Sequence, residues 1–387
     1  MNTTAGSFSE RFENRFTSYV GGVFVDASGD SVQVIDPADG EQWAELAVDP
    51  SVVSRAVSAA AFAQTDPAWT GDPLRRAGVL RSIADLVDGN AQELAELETI
   101  ATGKPIAATR AEIHYAATWY RYYASALETE REQLVALTRT KSAQIRHEPV
   151  GVVGAITPFN GAFSLGTWKF APALAAGNTI VAKPPVASSV STLFLAELMA
   201  EAGVPTGAFN VVLGDREVGE LLVEDSRVAM VTFTGSTAAG RAIGSQVAGR
   251  MGRFVCEAGG KSAHIVMDDA DLDSAVIAAT QGVFSGTGQT CVAGSRLIVH
   301  ADVYEEFLGR FIAHANQLVV GDPMRDDVHL GPIATAQQYD RVVSLIDEAV
   351  RDGARAELDG RHPERRSGAR AATGWGPRSS PVRRPTP

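Results

Sequence analysis

Along the first 130 residues the apolar positions follow two different spacings. Val32 to Ile35 alternates with polar neighbours, and Pro37, Asp39 and Gly40 supply a turn behind it, so this segment predicts short strands. From Ser51 to Ala63 and from Pro73 to Thr102 apolar residues recur every three to four positions, the spacing of one helix face. Gly103 stands where a helix C-cap would, and Pro105 follows it. Ile113 to Leu127 predicts another helix, whose Tyr and Trp residues read as packing between helices.

Beyond Gly151 the pattern changes. Val152 to Thr157, Asn178 to Lys183, Phe209 to Leu213, Met230 to Phe233 and Phe254 to Cys256 are short, nearly continuous apolar runs, as strands buried on both faces require. Helical stretches separate them at Ser191 to Ala202, Val218 to Val223 and Thr237 to Val247. This alternation predicts an α/β fold with a parallel sheet between helices. A third region, Ala263 to about Leu358, continues in the same style, with helices predicted at Asp271 to Phe284, Val303 to Leu318 and Thr335 to Asp352. No internal repeat or low-complexity linker precedes residue 358.

Composition narrows the function classes. The 387 residues are 45% hydrophobic and 21% charged, an ordinary globular balance with room for two or three domains. A net charge of −12 argues against nucleic acid and anionic membrane as general partners. The first twenty residues mix acids with bases and show no targeting pattern. The longest apolar-leaning stretch, Phe170 to Lys183, is interrupted by Pro172, Gly177 and Asn178, so no bilayer span is expected and the expected location is the cytoplasm. Two cysteines, Cys256 and Cys291, exclude a disulfide scaffold. A free cysteine usually behaves as a small buried hydrophobe, and Cys256, inside an apolar run, reads that way.

Cys291 reads differently. Gly288-Gln289-Thr290-Cys291 precedes Val292-Ala293-Gly294-Ser295-Arg296, and these small residues leave room for a substrate carbon beside a thiol. A thiolate adds to carbonyls more readily than a hydroxyl does. Glu257, followed by Gly259 and Gly260, has the chemistry of a general base at a strand end, although by itself such a Glu is more often just a loop residue. Phe233 to Gly240 reads as strand, glycine turn and helix start, a place for an anion, and it departs from the G-x-G-x-x-G spacing. Asn160, after the Val152 strand, offers an amide to a developing oxyanion or simply closes a turn.

Taken together and in this order, these segments resemble the aldehyde dehydrogenase superfamily from about Tyr19 to about Leu358. The resemblance is carried by Thr102-Gly103-Lys104-Pro105, Glu148 to Val153, Trp168-Lys169, Pro172 to Asn178, Val181 to Pro184, Phe233 to Gly240, Glu257 to Ser262 and Gly288 to Cys291. The separation 291 − 257 = 34 fits as well.

This resemblance implies a Rossmann-like dinucleotide-binding domain over 1–127 and 149–258, an oligomerisation hairpin over 128–148 and an incomplete α/β catalytic domain over 259–358. It implies oxidation of an aldehyde with NAD or NADP and no metal. Cys291 would be the nucleophile, Asn160 and the Cys291 N–H the oxyanion donors and Glu257 the base that releases the acid, with Gln289 and Thr290 lining the substrate end. Thr157, Pro158, Phe159, Trp168, Lys183, Gly214, Gly235 and Ser236 match cofactor-side positions, Lys183 the ribose contact. Val186 stands where many NAD-dependent members have Glu, which bears on NAD against NADP.

A Glu-x-Phe-Gly-Pro segment of the family has no counterpart here. From Arg361 to Pro387 the chain holds 7 Arg, 5 Pro and a single acid, Arg being 29 of the 34 basic residues overall. Residues 359–387 therefore read as a disordered basic tail foreign to the family, the text a GC-rich gene gives out of frame. On that reading self-association is impaired and the chain is poorly active. The competing readings are a truncated, non-catalytic remnant that at most binds nucleotide, a CoA-acylating member, which Glu257 disfavours, and a cysteine hydrolase, for which no His stands near Cys291.

Overall fold

The computed structural model describes residues 7–26 and 29–358, and the basic tail expected over 359–387 lies outside them. The fold is α/β, as the alternating runs predict, and the chain divides into two compact units. Among the described residues one unit holds those up to 34, 44–97 and 110–258, and the other holds 35–43, 98–109 and those from 259 on.

The larger unit is built on a seven-stranded sheet. Its strands are β1 (Tyr19–Val20), β2 (Val23–Phe24), β3 (Val152–Ile156), β4 (Thr179–Lys183), β5 (Phe209–Val211), β6 (Val228–Gly235) and β7 (Arg253–Ala258). They lie in the order β7-β6-β3-β4-β5-β1-β2, with β3 to β7 mutually parallel and β1 antiparallel to β5. Every residue of β3, β4 and β5 is buried, which is why their sequences are mostly apolar rather than alternating.

The longer helices around this sheet include α1 (Val52–Ala63), α2 (Pro73–Gly89), α3 (Ile106–Thr129), α4 (Ala162–Ala175), α5 (Val190–Glu201), α6 (Arg216–Glu224) and α7 (Thr237–Gly249). Val53, Ala56, Val57 and Ala60 of α1, Leu222 of α6 and Val247 of α7 join Val152, Val181 and Val231 of the strands in one buried cluster. Asp72 caps α2 by accepting from the Arg75 N–H, with Pro73 in the first turn, a strong helix start. The single run over 73–102 is in fact two helices. Asn90 leaves helical geometry (φ −111°, ψ 18°) and its side-chain amide donates to the Leu86 carbonyl at 2.8 Å, ending α2 before a second helix runs Ala91–Thr102. No reading of periodicity predicts α4, because Pro172 lies inside it. Residues Gln133–Ala136 and Ser142–Ile145 form an antiparallel ribbon with no other strand beside it among the described residues, and Leu134 and Leu137 are exposed on it.

The smaller unit contains a two-stranded parallel ribbon of β8 (Ala263–Val266) and β9 (Arg296–Val299) and the helices α8 (Leu272–Phe284), α9 (Tyr304–Ala315) and α10 (Ala336–Arg351). Its core is Val266, Val276, Ala279, Phe307 and Phe311, with the Phe307 and Phe311 rings stacked at 6.0 Å. Asp271 caps α8 by accepting from the Ser274 N–H. Gly103, at φ 72°, ends the helix before it in a conformation that a side chain adopts only with strain.

Candidate active site

In sequence order the five parallel strands are arranged third-second-first-fourth-fifth, so the direction of winding reverses between β3 and β6. Doubly wound sheets take their ligands at the carboxyl ends of the strands beside such a switch point. Thr157 to Asn160 follow β3 there, Lys183 ends β4, Gly214 follows β5, Gly235 ends β6 with Ser236 next, and Glu257 lies near the end of β7. Strand register fixes their neighbours: Glu257 pairs with Thr234, Phe233 with Ile156, and Ile156 with Lys183. The sheet therefore gathers residues spread over a hundred positions onto one edge.

Individual environments suit a phosphorylated ligand. Lys183 is buried, which pushes its ammonium below the ordinary lysine range, while Asp215 acts in the opposite direction. The Thr157 hydroxyl is buried without a hydrogen-bond partner, an acceptor and donor left for something else. Ser236 caps α7 by accepting from the Ala239 N–H at 3.2 Å, and the first turn of this 13-residue helix presents its amide dipoles at the same edge. A Cβ at Gly214 would stand 2.3 Å from Val218, so the close turn after β5 depends on glycine. These groups fit a dinucleotide.

Lys169 is the residue that sequence reasoning passed over except as part of a matching segment. It is 8% exposed, and its Nζ donates to the Thr232 hydroxyl at 3.3 Å. Burial pushes its pKa down to about 8, against the opposing attraction of Glu257 and Cys256. An amine poised near neutrality beside a candidate base has proton-transfer chemistry, and only the packing of α4 on the sheet creates it.

Trp168, next along α4, is 47% exposed, and its ring lies 5.9 Å from that of Trp119 on α3. Tyr115, Tyr122 and Tyr123 complete this cluster around Trp119. The expectation that the aromatic residues of this helix serve only interhelical packing is therefore corrected. Tyr120 is fully buried, but Tyr115 and Tyr122 are 53% and 61% exposed because they lie on the opposite side of the helix.

The reading of Cys256 as a buried hydrophobe is also corrected: it is exposed. Its apolar run belongs to β7, the edge strand of the sheet, where burial is one-sided at best. Cys291, in the smaller unit, is partly exposed. It follows a loop over Ser285–Gly288 in which Gly286 and Thr287 are both left-handed (φ 60° and 59°). The Thr290 hydroxyl donates to the Ser285 carbonyl at 3.1 Å, and Gln289 Oε1 accepts from the Ala334 N–H at 3.0 Å.

Asp268, His300 and Asp302 bring potential ligand atoms within 4.8 Å of one another at the surface, and nothing else there points to a cation. Among the described residues no helix is long and apolar enough to cross a membrane.

Residues 24–373 match the Aldehyde dehydrogenase family, so the match runs past Leu358, where the resemblance read from motifs stopped. The chain is 39% identical over 338 residues to a betaine aldehyde dehydrogenase of Cereibacter sphaeroides, covering 87% of this chain and 69% of the relative. It superposes on the NAD+ complex of an aldehyde dehydrogenase from Bacillus cereus with a TM-score of 0.87 and 34% identity, covering 91% of this chain and 73% of that one. A 3,6-anhydro-L-galactose dehydrogenase in complex with NADP matches with a TM-score of 0.85 and 36% identity, over 89% of this chain and 73% of that one. The chain belongs to the aldehyde dehydrogenase family, enzymes that oxidise aldehydes with NAD or NADP.

Proposed function

We propose that this chain oxidises its aldehyde through a thiohemiacetal and then a thioester on Cys291. The observation that carries the reading is the gathering of Thr157, Asn160, Lys183, Ser236 and Glu257 at the switch-point edge of the parallel sheet. The Cys291 thiolate adds to the carbonyl carbon, and the carbonyl oxygen takes up the displaced electron pair. The Asn160 amide and the Cys291 N–H donate to that oxyanion. When bound, the nicotinamide supplies a hydride acceptor, which leaves the substrate carbon at the oxidation level of an acid. Glu257 then accepts a proton from water as the water oxygen adds to the thioester. The C–S bond breaks, the acid departs and the thiolate is restored.

Lys183, Gly214, Gly235 and Ser236 hold the dinucleotide, with Thr157, Pro158, Phe159 and Trp168 on the same side. The larger unit is then the dinucleotide-binding domain, with the ribbon within 128–148 as its self-association element, and the segment from 259 is the catalytic domain. The exposed Leu134 and Leu137 support a subunit contact at the ribbon. A cytoplasmic location fits this chemistry.

The aromatic cluster of Tyr115, Trp119, Tyr122 and Tyr123 favours an aldehyde with a quaternary ammonium head, which aromatic faces attract. Betaine aldehyde is then expected to be oxidised more efficiently than 3,3-dimethylbutanal, its uncharged isostere; equal kcat/KM for the two would remove the cation from the reading.

The thiol assignment is tested by NAD(P)H formation in Cys291→Ala and Cys256→Ala. The first is expected to abolish oxidation and the second to keep most of it. Loss confined to the Cys256 variant would reverse the assignment.

A further inference from the structure

The loop that delivers Cys291 is held against its own conformational preference. Gly286, Thr287 and Gly288 are left-handed in succession (φ 60°, 59° and 71°). For Thr287, a β-branched residue, that region is costly, and its hydroxyl is buried without a hydrogen bond. Most of the hydrogen bonds that stabilise the loop are local. Gln289 N–H donates to the Gly286 carbonyl at 3.1 Å, Thr290 Oγ1 to the Ser285 carbonyl at 3.1 Å, and Ala293 N–H to the Thr290 carbonyl at 3.1 Å. Local bonds of this kind shape a loop without fixing it to the rest of the fold.

Gln289 makes a different connection. Its Oε1 accepts from the backbone N–H of Ala334, 45 residues away, at 3.0 Å. Ala334 is 3% exposed and belongs to a well-seated segment. A Cβ at Gly331 would stand 1.8 Å from the Gly103 carbonyl oxygen, and a Cβ at Gly103 would stand 2.7 Å from the Pro332 ring, so the two backbones are in direct contact. The Ile106 N–H donates to the Pro323 carbonyl at 2.8 Å in the same region. The acceptor on Gln289 thus reaches a fixed donor inside the same compact unit.

We propose that Gln289 is a positioning residue for the Cys291 thiol, pinning a strained loop to the Ala334 amide two residues before the nucleophile, rather than a wall of the aldehyde pocket. The proposal rests on the reading of Cys291 as the nucleophile. A residue that holds the thiol in place acts on the chemical step, whereas a pocket wall acts chiefly on substrate binding.

The test uses the 387-residue chain and two readouts. The first is hydrogen exchange of the peptide spanning 285–295, with 263–284 as internal reference, and it needs no turnover. Gln289→Met keeps the side-chain length and removes the acceptor, so exchange in the loop is expected to rise about tenfold, the opening of one local hydrogen bond. Gln289→Glu keeps an acceptor for the Ala334 N–H and is expected to restore protection. Gln289→Asn, one methylene shorter, is expected to behave as Gln289→Met does and serves if that variant fails to fold.

The second readout is turnover. Gln289→Met and Gln289→Asn are expected to lower kcat by about 10- to 100-fold with little change in aldehyde KM, the scale expected when reacting groups are displaced by about 1 Å. Unchanged loop exchange in Gln289→Met overturns the proposal. A raised aldehyde KM at unchanged kcat also overturns it and makes Gln289 a pocket wall. Turnover retained in Cys291→Ser, with loop exchange still raised in Gln289→Met, overturns the nucleophile assignment and with it the positioning role, while leaving the clamp itself in place.

Discussion

Lys169→Met is expected to stabilise the protein at neutral pH and to lose that advantage in alkali. Burial holds the folded pKa of Lys169 at about 8, against an ordinary value of 10.5. Between these values the folded protein binds fewer protons than the unfolded chain, so wild-type stability rises with pH through that window and the penalty is complete below it. By linkage the penalty is about 3 kcal/mol at pH 7 and about 1 kcal/mol at pH 10. Methionine fills a similar volume and carries no charge. It also abandons the 3.3 Å hydrogen bond to the buried Thr232 hydroxyl, a loss of about 1 kcal/mol. The variant should therefore exceed wild type by about 2 kcal/mol at pH 7 and by nothing at pH 10. Urea unfolding of both proteins at the two pH values measures the difference, in which the other titrating groups cancel. A stability difference independent of pH, or a variant less stable than wild type at pH 7, would refute the account of Lys169 as a lysine held partly neutral by burial.

Three further outcomes are expected. Glu257→Gln should keep the initial burst of reduced cofactor while steady-state turnover falls by about 10²–10⁴-fold, the usual cost of losing a general base, and unchanged turnover counts against the role. Val186 stands three residues after Lys183 in place of an acidic residue and cannot repel a 2′-phosphate, so kcat/KM with NADP should come within about tenfold of that with NAD, a gap of about 1.4 kcal/mol; a thousandfold preference for NAD contradicts this. Arg76→Met should destabilise the larger unit by about 3 kcal/mol or more in denaturant titration, because Arg76 is buried and donates to the carbonyls of Ala175, Trp69 and Thr70 at 2.7, 2.6 and 3.0 Å, and a loss below about 1 kcal/mol would show that these carbonyls find other donors.

The order of apolar runs was enough to read the fold class. Residues 152–156, 179–183 and 209–211 are mostly apolar because both faces of those strands are covered, and that signal is local in sequence. The segments Gly288 to Cys291 and Glu257 to Ser262 could be singled out as candidates for the same reason: each motif is contiguous. A helix end was legible where a single residue dictates it, as at Gly103, and misread where a break such as Asn90 keeps the apolar spacing on both sides.

What only the tertiary structure decided is who neighbours whom. Periodicity reports that a face is buried and not what buries it. The placing of β3 between β4 and β6, which makes the switch point, follows from pairings between strands dozens of residues apart. The same holds for Lys169, whose pKa depends on packing against Thr232 and on the charge of Glu257, and for Gln289, whose partner lies 45 residues away. Cys256 and the aromatic residues of α3 were misjudged because exposure is set by the position of a strand in its sheet and by which helix face is covered. Solvent, charge and register act on a residue through its spatial neighbours, and a one-dimensional pattern records those neighbours only when they are also neighbours in sequence.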